Sequence, residues 1–234
     1  MVFRAGRVAE PGASRTGAFA AIIFAVLFVV GLFLQNVPDL SAGTAKITDF
    51  YGKSGNRTTM VIALYVWTVA GLAFLVFVGS LYQRLRLAEP EAGALPVVAL
   101  AGGVAFVVIL FVAAAILAAP AVSMAFGGTP QWGADIAGAF PQLGYTLLFI
   151  PGAFAAIVFL VASALTGLRT AVLPHWLAWF GLAAAVILLA AIMFMPFMIL
   201  PLWTLGAAVA LLRRETAPRT ASRQQPAVPQ AGQP

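Results

Sequence analysis

The stretch WLAWFGLAAAVILLAAIMFMPFMILPLWTLGAAVALL, Trp176 to Leu212, contains no acidic or basic residue from end to end. A helix needs about 20 apolar residues to cross a hydrocarbon core of about 30 Å. The stretch is therefore too long for one upright span and long enough for two. Pro196 divides it, because proline has no N–H to donate and its ring clashes with the preceding turn. The expected spans are 176–194 and 197–212, with Pro196 as the break. One tilted helix with an interfacial segment is the competing reading. Two spans make the total even and return the C-terminus to the side of the N-terminus; one span leaves them opposite.

Just upstream lies LRTAVLPHWLAWFG, Leu168 to Gly181, with the only histidine of the chain, His175. Pro174 suits a helix start, where a missing N–H is not needed. Tryptophan collects at membrane interfaces because its ring is apolar while its N–H seeks a polar partner. His175, Trp176 and Trp179 are therefore read as interfacial anchors, with Trp132 in the same role. A bis-histidine haem would need a second histidine. Met193, Met195 and Met198 are thioethers that suit copper(I), but they lie about 27 Å along the helix from His175. No metal and no cofactor is expected.

Four further apolar runs precede this pair, at about 16–37, 59–82, 95–119 and 142–166. The first, TGAFAAIIFAVLFVVGLFLQNVP after Arg15, exceeds the apolar region of a secretory signal and is followed by more spans, so it is read as an uncleaved helix. The third ends before Pro120. The fourth contains Pro151-Gly152, expected to kink it. The fold class is thus all-α, a polytopic bundle of six transmembrane helices spanning 16–212. A basic head, 1–15, precedes it, and the proline-rich tail, 213–234, has too little to bury to fold.

Composition agrees. Hydrophobic residues make up 62% and charged residues 9%, with a mean hydropathy of +1.02. Soluble domains run near 25% charged, so the surrounding solvent is lipid. The net charge of +6 does not indicate nucleic acid, because the arginines flank apolar runs and form no stripe. With six spans and the N-terminus inside, the inner side holds Arg4, Arg7, Arg15, Arg84, Arg86, Arg169, Arg213, Arg214, Arg219 and Arg223. The outer side holds Lys46, Lys53 and Arg57. That asymmetry places both termini in the cytoplasm. Abundant alanine, glycine and arginine, with few lysines, fit a bacterial inner (plasma) membrane.

No expected span contains Asp, Glu, Lys or Arg, the usual marks of proton relays and ion pathways. Thr68, Tyr145, Thr146, Ser163 and Thr204 are the polar groups at depth, and hydroxyls commonly bond their own helix backbone. The glycine–alanine pairs 152/156, 181/185 and 206/210 are read as packing. The densest polar constellation is outside the spans: Asp39, Asp49, Tyr51, Asn56, Arg57, Trp132 and Asp135. In DLSAGTAKITDFYGKSGNR, Leu40, Ile47, Phe50 and Tyr51 form one apolar face of a short interfacial helix. A shallow outer-face pocket is expected there, with Arg57 pairing Asp49 or Asp135.

The segments DFYGKSGNR before the second span, LYQRLRLAE after it and LRTAVLPHWLAWFG before the fifth resemble the uncharacterised, mainly actinobacterial multi-spanning membrane proteins classed among domains of unknown function. The resemblance runs from about Arg15 to Arg214. It implies a six-span inner-membrane protein and brings no activity or catalytic residues with it. The expected role is non-catalytic: a membrane subunit or scaffold, or a binder of a lipid-like ligand, with the bilayer and such a ligand or a protein as partners. The alternative is a small permease for neutral or hydrophobic molecules, using the Pro151 kink.

Overall fold

The computed structural model describes residues 11–38, 41, 43–89, 93–127, 133–189 and 195–216. Among them there is no strand. The helices are α1 (Pro11–Leu34), α2 (Thr44–Gly52), α3 (Ser54–Ala88), α4 (Leu95–Gly127), α5 (Ala134–Leu147), α6 (Ala153–Thr170), α7 (His175–Leu188) and α8 (Ile199–Thr216). A π-helical turn, Leu148–Gly152, joins α5 to α6, and a 3-10 turn, Met195–Met198, leads into α8. Four helical runs are long and apolar enough to cross a membrane: Arg15–Leu34, Ser54–Ala88, Leu95–Phe126 and Ala134–Thr170. His175–Leu188 and Ile199–Arg213 are shorter apolar helices.

These helices are apolar on every face. On α1, Phe19, Ile23, Val26, Val30 and Phe33 form an exposed stripe, while Ala21, Phe24, Phe28 and Leu32 are buried. A soluble helix keeps a polar stripe outward; here the outward stripe is as greasy as the inward one, as a lipid solvent requires.

Two boundaries differ from the sequence expectation. The third span was expected to end before Pro120, yet α4 runs through it to Gly127. The Ser123 hydroxyl donates to the Pro120 carbonyl at 2.9 Å, and Ala118 and Ala121 on either side are buried. Packing against neighbouring helices lets membrane helices tolerate proline. The fourth span was expected to start at 142; the helix begins at Ala134 and carries Pro141 inside it, buried. At Pro151 the sequence reading of an irregularity holds, and its form is one π turn from which the chain continues as α6. Pro196 lies in the 3-10 turn that separates α7 from α8.

The centre is a stack of rings. Phe24 lies 4.4 Å from Phe74 between centroids, Phe74 5.4 Å from both Phe106 and Phe159, and Phe159 5.5 Å from Trp203. Phe197, from the 3-10 turn, closes on Phe28, Phe106 and Phe149 at 5.9, 6.2 and 5.4 Å. Two buried tryptophans satisfy their N–H groups on neighbouring helices. Trp67 Nε1 donates to Phe28 O and Trp203 Nε1 to Leu177 O, each at 3.1 Å.

Helix directions sort the charges. Gly17 at the start of α1 packs on Ser80 near the end of α3. Arg169 at the end of α6 lies 3.9 Å from Glu89 at the end of α3. Gly206 of α8 sits against Trp176 and Leu177 at the start of α7. Arg15, Arg84, Arg86, Arg169, His175 and Arg213 therefore gather at one end of the bundle. Lys46, Lys53 and Arg57, with α2 and the start of α5, mark the other.

Candidate functional site

At this second end, α2 lies across the helix ends. Ile47 and Tyr51, four residues apart and so on one face, are each 2% exposed. Phe50 is half-buried, so the amphipathic face read from the sequence forms, and it docks on the protein; Leu40 lies outside the described residues. The last carbonyls of a helix lack intrahelical partners, and α3 supplies them. Asn56 Nδ2 donates to Phe50 O at 3.0 Å. Arg57 Nη1 donates to Tyr51 O at 2.6 Å and to Gly52 O at 3.1 Å. A cation at a helix C-terminus is also favoured by the dipole.

The expected pairing of Arg57 with Asp49 or Asp135 is thus corrected: its guanidinium is spent on the end of α2. Asp49 pairs with Lys53 at 2.6 Å, both of them exposed. Asp135 is exposed in the first turn of α5, where a negative charge suits the helix N-terminus. Asp39 and Trp132 lie outside the described residues. Of the expected pocket, Tyr51, Asn56 and Arg57 come together; Asp49 and Asp135 stay at the exposed rim.

Two residues that the sequence reading did not assign to this pocket complete the site. Gln35 follows α1, is 5% exposed, and extends the helix by donating its N–H to Gly31 O at 3.2 Å. Its carbonyl accepts the Tyr145 hydroxyl at 2.8 Å. Tyr145 is stacked on Phe149 at 5.7 Å with the rings 2° from parallel. The sequence placed Tyr145 among hydroxyls that bond their own helix. Thr68 and Thr204 do so, to Leu64 O at 2.8 Å and Pro201 O at 2.8 Å, but Tyr145 reaches another segment. A signal for Gln35 was present, since it is the first polar side chain after Thr16.

The chemistry of the cluster lies in what is unsatisfied. Gln35 Oε1 and the Tyr51 hydroxyl are buried and have no hydrogen-bond partner among the described residues. Each such group costs about 1–3 kcal/mol relative to a paired one, and buried polar groups in folded proteins are normally paired. Burial, and then the neighbouring Tyr145, push the Tyr51 hydroxyl up from 10.0 to about 12. Because the folded value is the raised one, its contribution to stability is complete below pH 10 and is lost as pH rises toward 12. The docked end should therefore loosen between pH 10 and 12. Absorbance at 295 nm, wild type minus Tyr51→Phe, should show one late-titrating phenol; a difference curve centred at 10 would contradict the burial.

The other candidates lie elsewhere. His175 is the first residue of α7 and exposed; Trp176 and Trp179 beside it are 56% and 63% exposed, as outward-facing anchors would be. Pro151 is exposed and Gly152 is turned inward against Ile109. Met193 lies outside the described residues. Ser163 Oγ in α6 is buried without a partner among the described residues. Among the described residues no group of three His, Asp or Glu side chains is placed to hold a metal ion. No protein-family model, curated protein or solved structure matches the chain, so its function rests on its own residues.

Proposed function

We propose that the chain is a non-catalytic protein of a bacterial plasma membrane that binds a lipid-like ligand at the outer end of a six-crossing bundle. The crossings are α1, α3, α4, the α5–α6 run, α7 and α8. The observation that carries the reading is the pair of buried, unpartnered polar atoms, Gln35 Oε1 and Tyr51 Oη, at the end of an otherwise apolar bundle. The one histidine lies at the opposite end, so no imidazole stands beside these hydroxyls to act as a base. A permease working through the Pro151 turn is less well supported, because Pro151 faces outward.

Orientation follows from the sorted charges: the end with Arg15, Arg84, Arg86, Arg169 and Arg213 faces the cytoplasm. At 14 residues, α7 is about 21 Å long, short against a core of about 30 Å. Phe197, fully buried against Phe28 and Phe106, ties the turn before α8 to α1 and α4. With α7 and α8 as the fifth and sixth crossings, both termini lie on one side.

The absence of cysteine makes the test direct. In intact cells, Ser54→Cys should react with a membrane-impermeant maleimide, and Ala171→Cys and Ser222→Cys should not. Labelling of Ala171→Cys with protection of Ser54→Cys would invert the orientation. For the ligand, native mass spectrometry of gently extracted protein should show a reproducible small added mass. A second polypeptide at fixed stoichiometry in its place would make the chain a subunit.

A further inference from the structure

We propose that the group bound at Gln35 and Tyr51 is a neutral hydroxyl, carried by a diacylglycerol-like amphiphile, which accepts a hydrogen bond from Tyr51 and donates one to Gln35. The inference rests on the reading of this cluster as a ligand site and names the ligand's chemistry. The argument is one of complementarity. Tyr51 Oη has a proton to donate and Gln35 Oε1 has lone pairs to offer, and both are buried without a partner among the described residues. A hydroxyl both donates and accepts, so one such group complements a donor and an acceptor at once, and Tyr145, bonded to the Gln35 carbonyl and close enough to act on the Tyr51 phenol, ties the two residues into one cluster.

Charged groups fit less well. A phosphate or carboxylate oxygen accepts from Tyr51 and offers nothing to Gln35 Oε1. Of the cations at this end, Lys53 is neutralised by Asp49, Arg57 is turned to Tyr51 O and Gly52 O, and Lys46 stands exposed in the first turn of α2. An ammonium donates to Gln35 and offers nothing to the Tyr51 proton, while Asp49 and Asp135 stand exposed at the rim. Burying either ion without a counter-charge is costly. A phenol is neutral and donating at physiological pH, and burial moves the Tyr51 hydroxyl further from ionisation.

The flanks indicate an amphiphile and not a free polyol. Phe33, two residues before Gln35, is 76% exposed, and Ile136 and Leu143 on α5 are exposed two turns apart on one stripe. This end of the bundle therefore offers an apolar surface for acyl chains beside a polar cluster, in which Tyr145 still holds an oxygen lone pair as a further acceptor.

The test uses the full chain in phosphatidylcholine nanodiscs, read by native mass spectrometry. The probes are 1,2-dioleoylglycerol, its 3-O-methyl ether, and glycerol in the buffer. Dioleoylglycerol should be retained. The methyl ether still accepts but cannot donate, so it should be held about five- to tenfold more weakly, the scale of one lost hydrogen bond. Gln35→Leu should weaken dioleoylglycerol by a similar factor and leave the ether unchanged, whereas Tyr51→Phe should weaken both. Equal retention of alcohol and ether by the wild type overturns the hydroxyl assignment and leaves the ligand site standing. Retention of glycerol alone as strongly as the lipid overturns the amphiphile. Retention of none of the three removes the ligand site itself. The comparison of alcohol with ether needs no variant, so a poorly folding substitution cannot obscure it.

Discussion

Gly102→Ala is expected to leave little monodisperse protein after detergent extraction. A Cβ at this position would stand 2.7 Å from the backbone nitrogen of Phe159 and 3.0 Å from the carbonyl oxygen of Ala155. These are main-chain atoms of α6 and cannot rotate aside, so α4 and α6 must part by roughly an ångström to reach ordinary contact near 3.5–4.0 Å. Alanine gains about 1 kcal/mol over glycine in helix propensity. Overpacking costs about 1–3 kcal/mol, and backbone against backbone belongs at or beyond the top of that range, so the clash wins. Gly79→Ala is the control: nothing lies within 4 Å of its Cβ position, so only the propensity gain applies. Heating both variants in detergent and following the surviving peak by size exclusion should show an early loss for Gly102→Ala and none for Gly79→Ala. Identical curves would mean that α4 and α6 do not meet at Gly102.

That position also shows where the sequence stopped being legible. Small residues at four-residue spacing drew attention to Gly181 and Gly206, and both do pack between α7 and α8, against Trp203 in one case and Leu177 and Trp176 in the other. Gly102 was passed over, because in a chain this rich in glycine, spacing alone does not say which glycine meets a neighbouring backbone. Long apolar runs and their flanking arginines were legible, since they follow from the solvent and from charge. Helix ends at Pro120 and Pro141 were not, because packing partners decide whether a proline stops a helix. The site divided in the same way. Tyr51, Asn56 and Arg57 stood out as polar residues beside a span. The partners of Arg57 could not be read, because its acceptors are backbone carbonyls, which every residue carries. Tyr145 was misjudged because a hydroxyl at depth can turn to its own helix or to another, and Gln35, a distant segment, determines which.

Gly31 carries the second large effect, and it tests how α1 is held. Trp67 lies over this glycine, stacked on Phe28 at 5.8 Å and 13°, and donates its N–H to Phe28 O. A Cβ on residue 31 would collide with Trp67 Cδ1 and Nε1. Gly31→Ala should therefore cost about 2–3 kcal/mol. Trp67→Phe alone removes one hydrogen bond, worth about 1 kcal/mol, and some ring volume, while Phe28 O keeps its place in the helix ladder. Combining the two should cost less than their sum by at least about 1 kcal/mol, since the smaller ring makes room for the methyl group. Equal costs of Gly31→Ala in both backgrounds would show that the indole is not what excludes a side chain. The consequence reaches the ligand site, because Gln35 N–H is bonded to Gly31 O and the Gln35 carbonyl receives Tyr145. A methyl group that lifts α1 off Trp67 displaces Gln35 from Tyr145 one turn later. Gly31→Ala should therefore lower retention of dioleoylglycerol even in the fraction that stays folded, and Trp67→Phe should restore part of it.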